Sequence, residues 1–522
     1  MTVTGAGAKA GRREWVGLAV LALPCLLYSM DLTVLYLALP KLSADLQPSS
    51  TQLLWITDIY GFLLAGLLLT MGTLGDRIGR RRLLLIGAVA FGTASLLAAF
   101  STSAEMLIVA RALLGVAAAT LAPSTLSLLR NMFLDERERT VAVGVWIASF
   151  SVGAAIGPLV GGVLLQFFWW GCVFLAALPV MGLLLVLGPV LLPEFRDPAP
   201  SRLDLVSAAL SLLAVLALIY GLKEIAAAGI AARPLLALAV GASLAVCFVY
   251  RQERLEDPLL DVLMFRSAAI TTAVAAMCVA VFLVAGTDFF LGQYLQLVSD
   301  KSPFIAGLWM LPGVGGLVAG SLLAAALLTR MSAARLLTAM LTLAAAGAAT
   351  LTQLHADGGL AALVVGTTLI GLGTGAVGTL ATDVVVGAAP AERAGAASAI
   401  TETGAELGGA LGIAILGSIG TAVYRGDVAA DAPSTLTSGQ LEMAKGGLAG
   451  AVALGGELPG RLGSDVGDLG RTAFTHALHL GALSAAIIAA LLGAASLASL
   501  RSTNAATEAN PATPRSHPKE TD

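Results

Sequence analysis

Seven ionisable side chains, Asp31, Asp58, Arg111, Asp288, Asp383, Glu402 and Glu406, lie inside stretches of sequence that are otherwise apolar. An ionisable group deep in a bilayer costs several kcal/mol, so those retained there mark routes for ions, protons or charged substrates. A carboxyl enclosed by apolar groups resists ionisation; it can hold a proton near neutral pH and release it to a passing cation. Glu402 and Glu406 are spaced i, i+4, on one face of a helix. They repel each other when both are ionised, which makes one of them a ready proton acceptor. Six acids against one arginine suit a cationic substrate. Arg111 can neutralise one of them, Asp58 more readily than Asp31, and Asp383, close to the end of its run, reads as a solvated helix end.

The elements that must carry these groups are fourteen apolar runs of roughly the 20 residues that a spanning helix needs. They cover 15–39, 53–74, 83–100, 105–129, 140–165, 171–192, 205–222, 233–250, 268–296, 304–328, 334–354, 360–386, 396–423 and 474–500. The chain is 57% hydrophobic and only 12% charged, which leaves no stretch with the surface composition of a separate soluble domain. Placing both ends in the cytoplasm puts 21 lysines and arginines on inner segments and 8 on outer ones, the bias expected of cytoplasmic loops. With a rise of about 1.5 Å per residue, Asp31 and Asp288 lie about 12 Å, Asp58 about 8 Å and Arg111 about 9 Å below the outer ends of their spans. Four charged groups therefore share one outer layer.

The spans divide unevenly. Residues 1–192 hold six, 193–267 hold two between polar segments, and 268–500 hold six more, with a long outer segment at 424–473 that is weakly helical around 440–454. A polar, proline-containing tail, 501–522, reads as disordered. The loop GDRIGRRRLL (75–84) is echoed by LTRMSAARLL (328–337), aligning Arg77 with Arg330 and Arg82 with Arg335. Such a repeat is what secondary transporters built from parallel halves show. The expected fold is all-α and membrane-embedded, two six-helix bundles with two extra central helices.

Several chemistries find no support. The net charge of -3 and the lack of a basic block argue against nucleic acid. Cys25, Cys172, Cys247 and Cys278 sit in apolar runs without ligand spacing, and His355, His476, His479 and His517 lie at span ends or in the tail, so neither a metal nor another cofactor is implied. Gly373-x-Gly375-x2-Gly378 has the form of a dinucleotide loop but falls in mid-span with no preceding strand, where glycines serve helix packing.

The motifs are similar to those of a known family. Gly72-Thr-Leu74-Gly-Asp76-Arg77-Ile-Gly79-Arg80-Arg81 resembles the major facilitator signature, a tight turn with an acid able to cap a helix N-terminus and basics able to reach helix carbonyls, in effect a cytoplasmic latch. Leu107-x3-Arg111-x3-Gly115 resembles the fourth-span motif, whose arginine is associated with proton transfer. Gly153-x3-Gly157-Pro158-x2-Gly161-Gly162 resembles the antiporter motif of the fifth span. Its small residues let helices meet backbone to backbone and its proline bends the span. Asp31-Leu-Thr33-Val-Leu-Tyr36 with Pro40, WITDIY (55–60), SPFIAGL (302–308) and ITETGAELGGALG (400–412) resemble the fourteen-span drug:proton antiporters, in particular the quaternary-ammonium and multidrug exporters.

By that resemblance Asp31, Asp58, Glu402 and Glu406 occupy positions used for cation or proton binding. The tenth span, 304–328, lacks the acid that some members carry and that is linked to divalent organic cations. Tyr36 stands where asparagine is common. It either stacks on a flat cation or joins Trp55 and Tyr60 in an outer aromatic belt. The expected activity is proton-coupled export of lipophilic cations such as quaternary ammonium compounds and ethidium, with small molecules, protons and the lipid bilayer as partners and no protein partner evident. Alternatives are export of a neutral or zwitterionic antibiotic and a membrane scaffold without turnover; no nucleophile and base combine to suggest an enzyme.

Overall fold

In lipid a chain must satisfy its own backbone groups, and apolar runs without strand alternation leave the helix as the means. The computed structural model describes residues 9–196, 204–255, 258, 264–265, 267–328, 330–355, 358–388 and 394–509. Among them the β-contribution is a single bridge between His355 and Gly358, and everything else of regular structure is helical. In order these are α1 (Arg12–Leu46), α2 (Ser50–Ile78), α3 (Arg80–Ala99), α4 (Ala104–Met132), α5 (Glu136–Phe167), the short α6 (Cys172–Leu175) with α7 (Ala177–Leu191), α8 (Leu205–Ala228) and α9 (Ala232–Gln252). Then come α10 (Ala268–Gln293), prolonged by a π turn at Tyr294–Val298, α11 (Pro303–Leu327), α12 (Ala333–Thr350), α13 (Leu360–Ala388), α14 (Ala394–Asp431), α15 (Ser438–Lys445), α16 (Leu448–Glu457) and α17 (Gly460–Ala509). Fourteen spans among the described residues are long and apolar enough to cross a membrane. Their starts are written locally: Ser49, Ser103, Asp204 and Ser302 accept from backbone N–H groups in the first turns of α2, α4, α8 and α11.

The first six spans pack as one group, α1 on α5, α2 on α4, and α3 on α4 and α7; the last six pack as another, α10 on α14, α11 on α13, and α12 on α13 and α17. The inserted pair α8 and α9 pack on each other, and α8 also lies against α2 and α14, so it bridges the two groups. Between the groups α5 meets α11 through the fifth-span motif. A Cβ on Gly162 would stand 2.7 Å from the Cα of Phe304, and one on Gly307 would stand 2.3 Å from the carbonyl of Pro158. On another face of α5 a Cβ on Gly153 would meet the Leu26 carbonyl at 2.2 Å and one on Gly157 the Thr33 hydroxyl at 2.0 Å. The motif therefore places α5 between α1 and α11.

The side of the molecule that carries α15 and α16, here the far side, differs from the sequence reading. Because α14 continues to Asp431 and α17 begins at Gly460, the connecting segment is shorter than 424–473 and holds two helices rather than a single weak one. Those helices are seated: Ala444, Leu448, Ala451 and Leu454 are buried, Tyr424 donates to the Ala444 carbonyl at 3.0 Å and Ser50 to the Gly446 carbonyl at 2.9 Å. Since α17 runs to Ala509, only residues 510–522 of the expected tail remain, and these lie outside the described residues, as do parts of the polar segments flanking α8 and α9.

On the near side the signature loop folds as a sharp turn between α2 and α3, with Gly79 at φ 110°, a conformation that favours glycine. Arg81 reaches the end of α7, donating to the carbonyls of Pro189 at 3.2 Å and Leu192 at 2.9 Å, as basics near a helix C-terminus should. Asp76 departs from expectation. Among the described residues it caps no helix but pairs with Arg80 four residues on, at 2.6 Å, while Arg77 is exposed and Gly72 sits over Pro123.

Candidate functional site: an acidic cavity between the halves

A cavity of about 150 Å³ lies where α1 and α2 of one half face α10 and α14 of the other. Tyr36, Asp58, Asp288 and Glu406 line it. A second space of about 90 Å³ adjoins it, sharing Thr33, Val284 and Asp288 and extending along α11 past Met310 and Gly313.

The C-terminal half supplies its acids through close helix packing. A Cβ on Gly408 would stand 2.1 Å from the Cys278 carbonyl and one on Gly412 2.3 Å from that of Phe282, so this face of α14 is held against α10. That rotation turns Glu402 and Glu406 toward α1. The Tyr28 hydroxyl donates to Glu406. Glu402 is half-buried and has no hydrogen bond or ion pair among the described residues. Asp288 lies on α10 shortly before Gly292, where a Cβ would meet the Tyr36 carbonyl at 2.7 Å. Its carboxyl enters the cavity with no hydrogen bond and no ion pair among the described residues. The π turn beyond it sends Gln296 to the Leu37 carbonyl of α1 at 2.9 Å, a hydrogen bond between the two halves.

The N-terminal half treats its acids differently. Arg111 of α4, fully buried, pairs with Asp31 at 2.7 Å, donates through Nε to the Ile56 carbonyl at 3.2 Å and lies 4.6 Å from the centre of the Tyr60 ring. Gly115 one turn on makes this possible: a Cβ there would stand 2.5 Å from the Tyr60 carbonyl, so α4 and α2 touch backbone to backbone. Arg111 thus takes Asp31 and not Asp58, against the sequence expectation. Asp58 has its own cation. The Lys223 ammonium of α8 lies 2.8 Å from both carboxylate oxygens, with the hydrogen bond directed to Oδ1, and both side chains are fully buried.

Lys223 was not among the residues singled out from sequence. Ending the seventh span at 222 leaves it in a loop, whereas the helix continues to Ala228 and stops at Gly229, whose φ is 84°. A glycine just past an apolar run is a helix stop signal, and reading Gly229 as such would have placed the lysine inside the span. The single arginine of the sequence count is thereby joined by a second cation, Lys223, and the same extension brings the neighbouring, half-buried Glu224 into the span.

The aromatic residues are corrected as well. Tyr36 and Tyr60 are buried and Trp55 is half-buried, so they form no lipid-facing belt. Tyr60 lies under Arg111 and the Trp55 ring lies 3.9 Å from the Lys223 ammonium, while Tyr36 lines the cavity beside Asp288. Asp383 is exposed near the end of α13, as a solvated helix end should be. Gly373 and Gly375 pack against the backbones of Met340 and Leu317 in the middle of α13, which confirms helix-packing glycines in place of a nucleotide loop.

Two six-helix groups around an acid-lined cavity, with a helix pair set against their seam, define a multi-pass membrane transporter. The Major Facilitator Superfamily profile matches residues 21–413, and the chain belongs to that superfamily. It is 44% identical over 477 residues to the multidrug efflux pump LfrA of Mycolicibacterium smegmatis, covering 91% of this chain and 94% of the relative. It is 35% identical over 486 residues to the methyl viologen resistance protein SmvA of Salmonella typhimurium, with 91% and 95% covered, and 33% identical over 485 residues to the tetracenomycin C resistance and export protein of Streptomyces glaucescens, with 91% and 90% covered. Among solved structures, a bacterial homolog of the human lysosomal transporter Spinster, inward-facing and unoccupied, matches with a TM-score of 0.63 at 16% identity over 94% of this chain and 98% of that one, a likeness of fold alone.

Proposed function

We propose that the protein is a proton-coupled multidrug exporter of lipophilic organic cations, quaternary ammonium compounds and dyes such as ethidium among them, in the bacterial inner membrane with both termini in the cytoplasm. The observation that carries this reading is the Asp288 carboxyl, which faces the cavity with no partner among the described residues while Glu406 enters the same space from α14. An unpaired carboxyl in an apolar chamber can be neutralised in two ways, by a proton or by an organic cation, and the two exclude each other. Alternating access turns that competition into exchange: protons arriving from outside displace the cation, and the protonated site returns to the cytoplasmic side. Exchange of one proton for one monocation is electrically neutral. Each further proton adds about 2.3 kcal/mol per 100 mV of membrane potential.

The multidrug efflux pump and the methyl viologen resistance protein among the relatives support export of this class. A second reading, export of a neutral or zwitterionic antibiotic, is favoured by the apolar wall of the adjoining space, Leu291, Met310 and Leu317, and by the tetracenomycin C exporter among the relatives. Ethidium efflux from proteoliposomes under an imposed pH gradient tests the first. Efflux is expected to follow the gradient; efflux that ignores the gradient, or that survives Asp288→Asn combined with Glu406→Gln, overturns it. Susceptibility profiles of cells with and without the gene then separate cations from neutral antibiotics.

A further inference from the structure

Lys223 belongs to the inserted helix pair, yet its ammonium is seated on Asp58 of α2, 165 positions away in the chain. It lies 2.8 Å from both carboxylate oxygens and 3.9 Å from the centre of the Trp55 ring, enclosed on all sides. A carboxylate and an aromatic face in apolar surroundings are the two groups by which an organic cation is recognised. Here the cation in that position is the chain's own. Asp58 lines the same cavity as Asp288 and Glu406, so a substrate cation in the cavity is next to a second cation site that is already filled. The helix that fills it rests on both α2 and α14, the elements that carry Asp58 and Glu406.

We propose that Lys223 is a built-in competitor, occupying an organic-cation site formed by Asp58 and Trp55, so that a monocation loads there only by displacing the ammonium. The inserted pair thereby sets the affinity threshold of the transporter. This rests on the reading of the cavity as a site for organic cations.

Equilibrium binding of tetraphenylphosphonium to the purified full-length protein in detergent, at one fixed pH, tests it. Lys223→Met and Lys223→Gln are each expected to bind at least about tenfold more tightly than the wild type. Lys223→Arg should bind like the wild type, and adding Asp58→Asn to Lys223→Met should abolish the gain. Binding by Lys223→Met and Lys223→Gln within twofold of the wild type, or a gain that survives Asp58→Asn, overturns the competitor. Lys223→Gln keeps an amide donor for Asp58 and serves if Lys223→Met aggregates. If neither single variant is recovered folded while the neutral Asp58→Asn/Lys223→Met pair is, the ion pair is structural and the proposal is overturned. Wild-type binding weakened by Asp288→Asn belongs to the export reading and stands whatever Lys223 does; binding by no variant at all overturns both.

Discussion

The two halves that meet at the cavity handle their buried acids in opposite ways. In the N-terminal half each carboxylate is matched by a cation of the protein, Asp31 by Arg111 and the cavity-lining Asp58 by Lys223. In the C-terminal half Asp288, which lines the cavity, and Glu402, which does not, have no partner among the described residues, and Glu406 has only a tyrosine hydroxyl. A charge whose partner is built in contributes to holding helices together, since breaking a buried pair leaves an uncompensated ion. A carboxyl without such a partner remains open to a proton or a substrate. Under the proposed function this asymmetry is a division of labour, in which the second half exchanges protons and cations and the first half holds the frame and sets the threshold.

The largest effect should come from the acids of the C-terminal half that line the cavity. Asp288→Asn and Glu406→Gln are each expected to reduce gradient-driven ethidium efflux from proteoliposomes to the level of empty liposomes, with the protein still monodisperse. Full activity in either would remove that residue from the exchanging set. Next is the paired half. Asp31→Asn leaves Arg111 buried and alone, so it should cost about 3–5 kcal/mol of stability, seen as a fall in thermal unfolding temperature in detergent. Asp31→Asn with Arg111→Gln should recover most of that loss. If the single variant is as stable as the wild type, the pairing does not hold the frame.

A smaller effect is expected where the halves are set by close packing. Gly157→Val places atoms where a Cβ alone would already be 2.0 Å from the Thr33 hydroxyl, and overpacking of this kind costs about 1–3 kcal/mol. The same thermal assay reads it, and an unchanged unfolding temperature would mean that α1 and α5 can part without cost. The smallest effect concerns the inserted pair. Burial pushes the Asp204 carboxyl up, but hydrogen bonds from Ser207 and Arg251 outweigh it and hold the group below its ordinary value. A depressed carboxylate contributes stability that is complete above its unfolded value, about 3.9, and lost as the pH falls through the folded one. Asp204→Ala should therefore cost about 1 kcal/mol at neutral pH, with the difference from wild type shrinking only in acid. A difference that instead changes between about pH 6 and 8 would point to another group.

Much of the frame was legible in the chain. Fourteen runs of the right length gave the span count because lipid accepts little else, and the glycines of 153–162 marked a helix packed backbone to backbone; that it is approached on two faces is seen only in the structure. Glu402 and Glu406 were recognisable as unpaired because no basic residue lies at their depth in sequence. The N-terminal pairs were not legible. Asp31, Asp58 and Arg111 share one layer, and depth alone does not say which of two acids an arginine reaches; the side chain's direction around its helix does. Lys223 was hidden by one misplaced span end, and the same error turned Trp55 from the ring over a lysine into a supposed belt residue.

The sequence by itself determined what must be buried: an apolar chain without soluble surface, crossing fourteen times, with five carboxyls, Asp31, Asp58, Asp288, Glu402 and Glu406, that lipid makes expensive. These follow from length, hydropathy and the cost of charge, all of which are local. Only the tertiary structure decided which of those carboxyls are spent on the protein's own cations and which are left open. That choice depends on helix rotation and on contacts such as Lys223 with Asp58, between residues 165 positions apart, and no periodicity along one chain encodes which neighbour a helix face will meet.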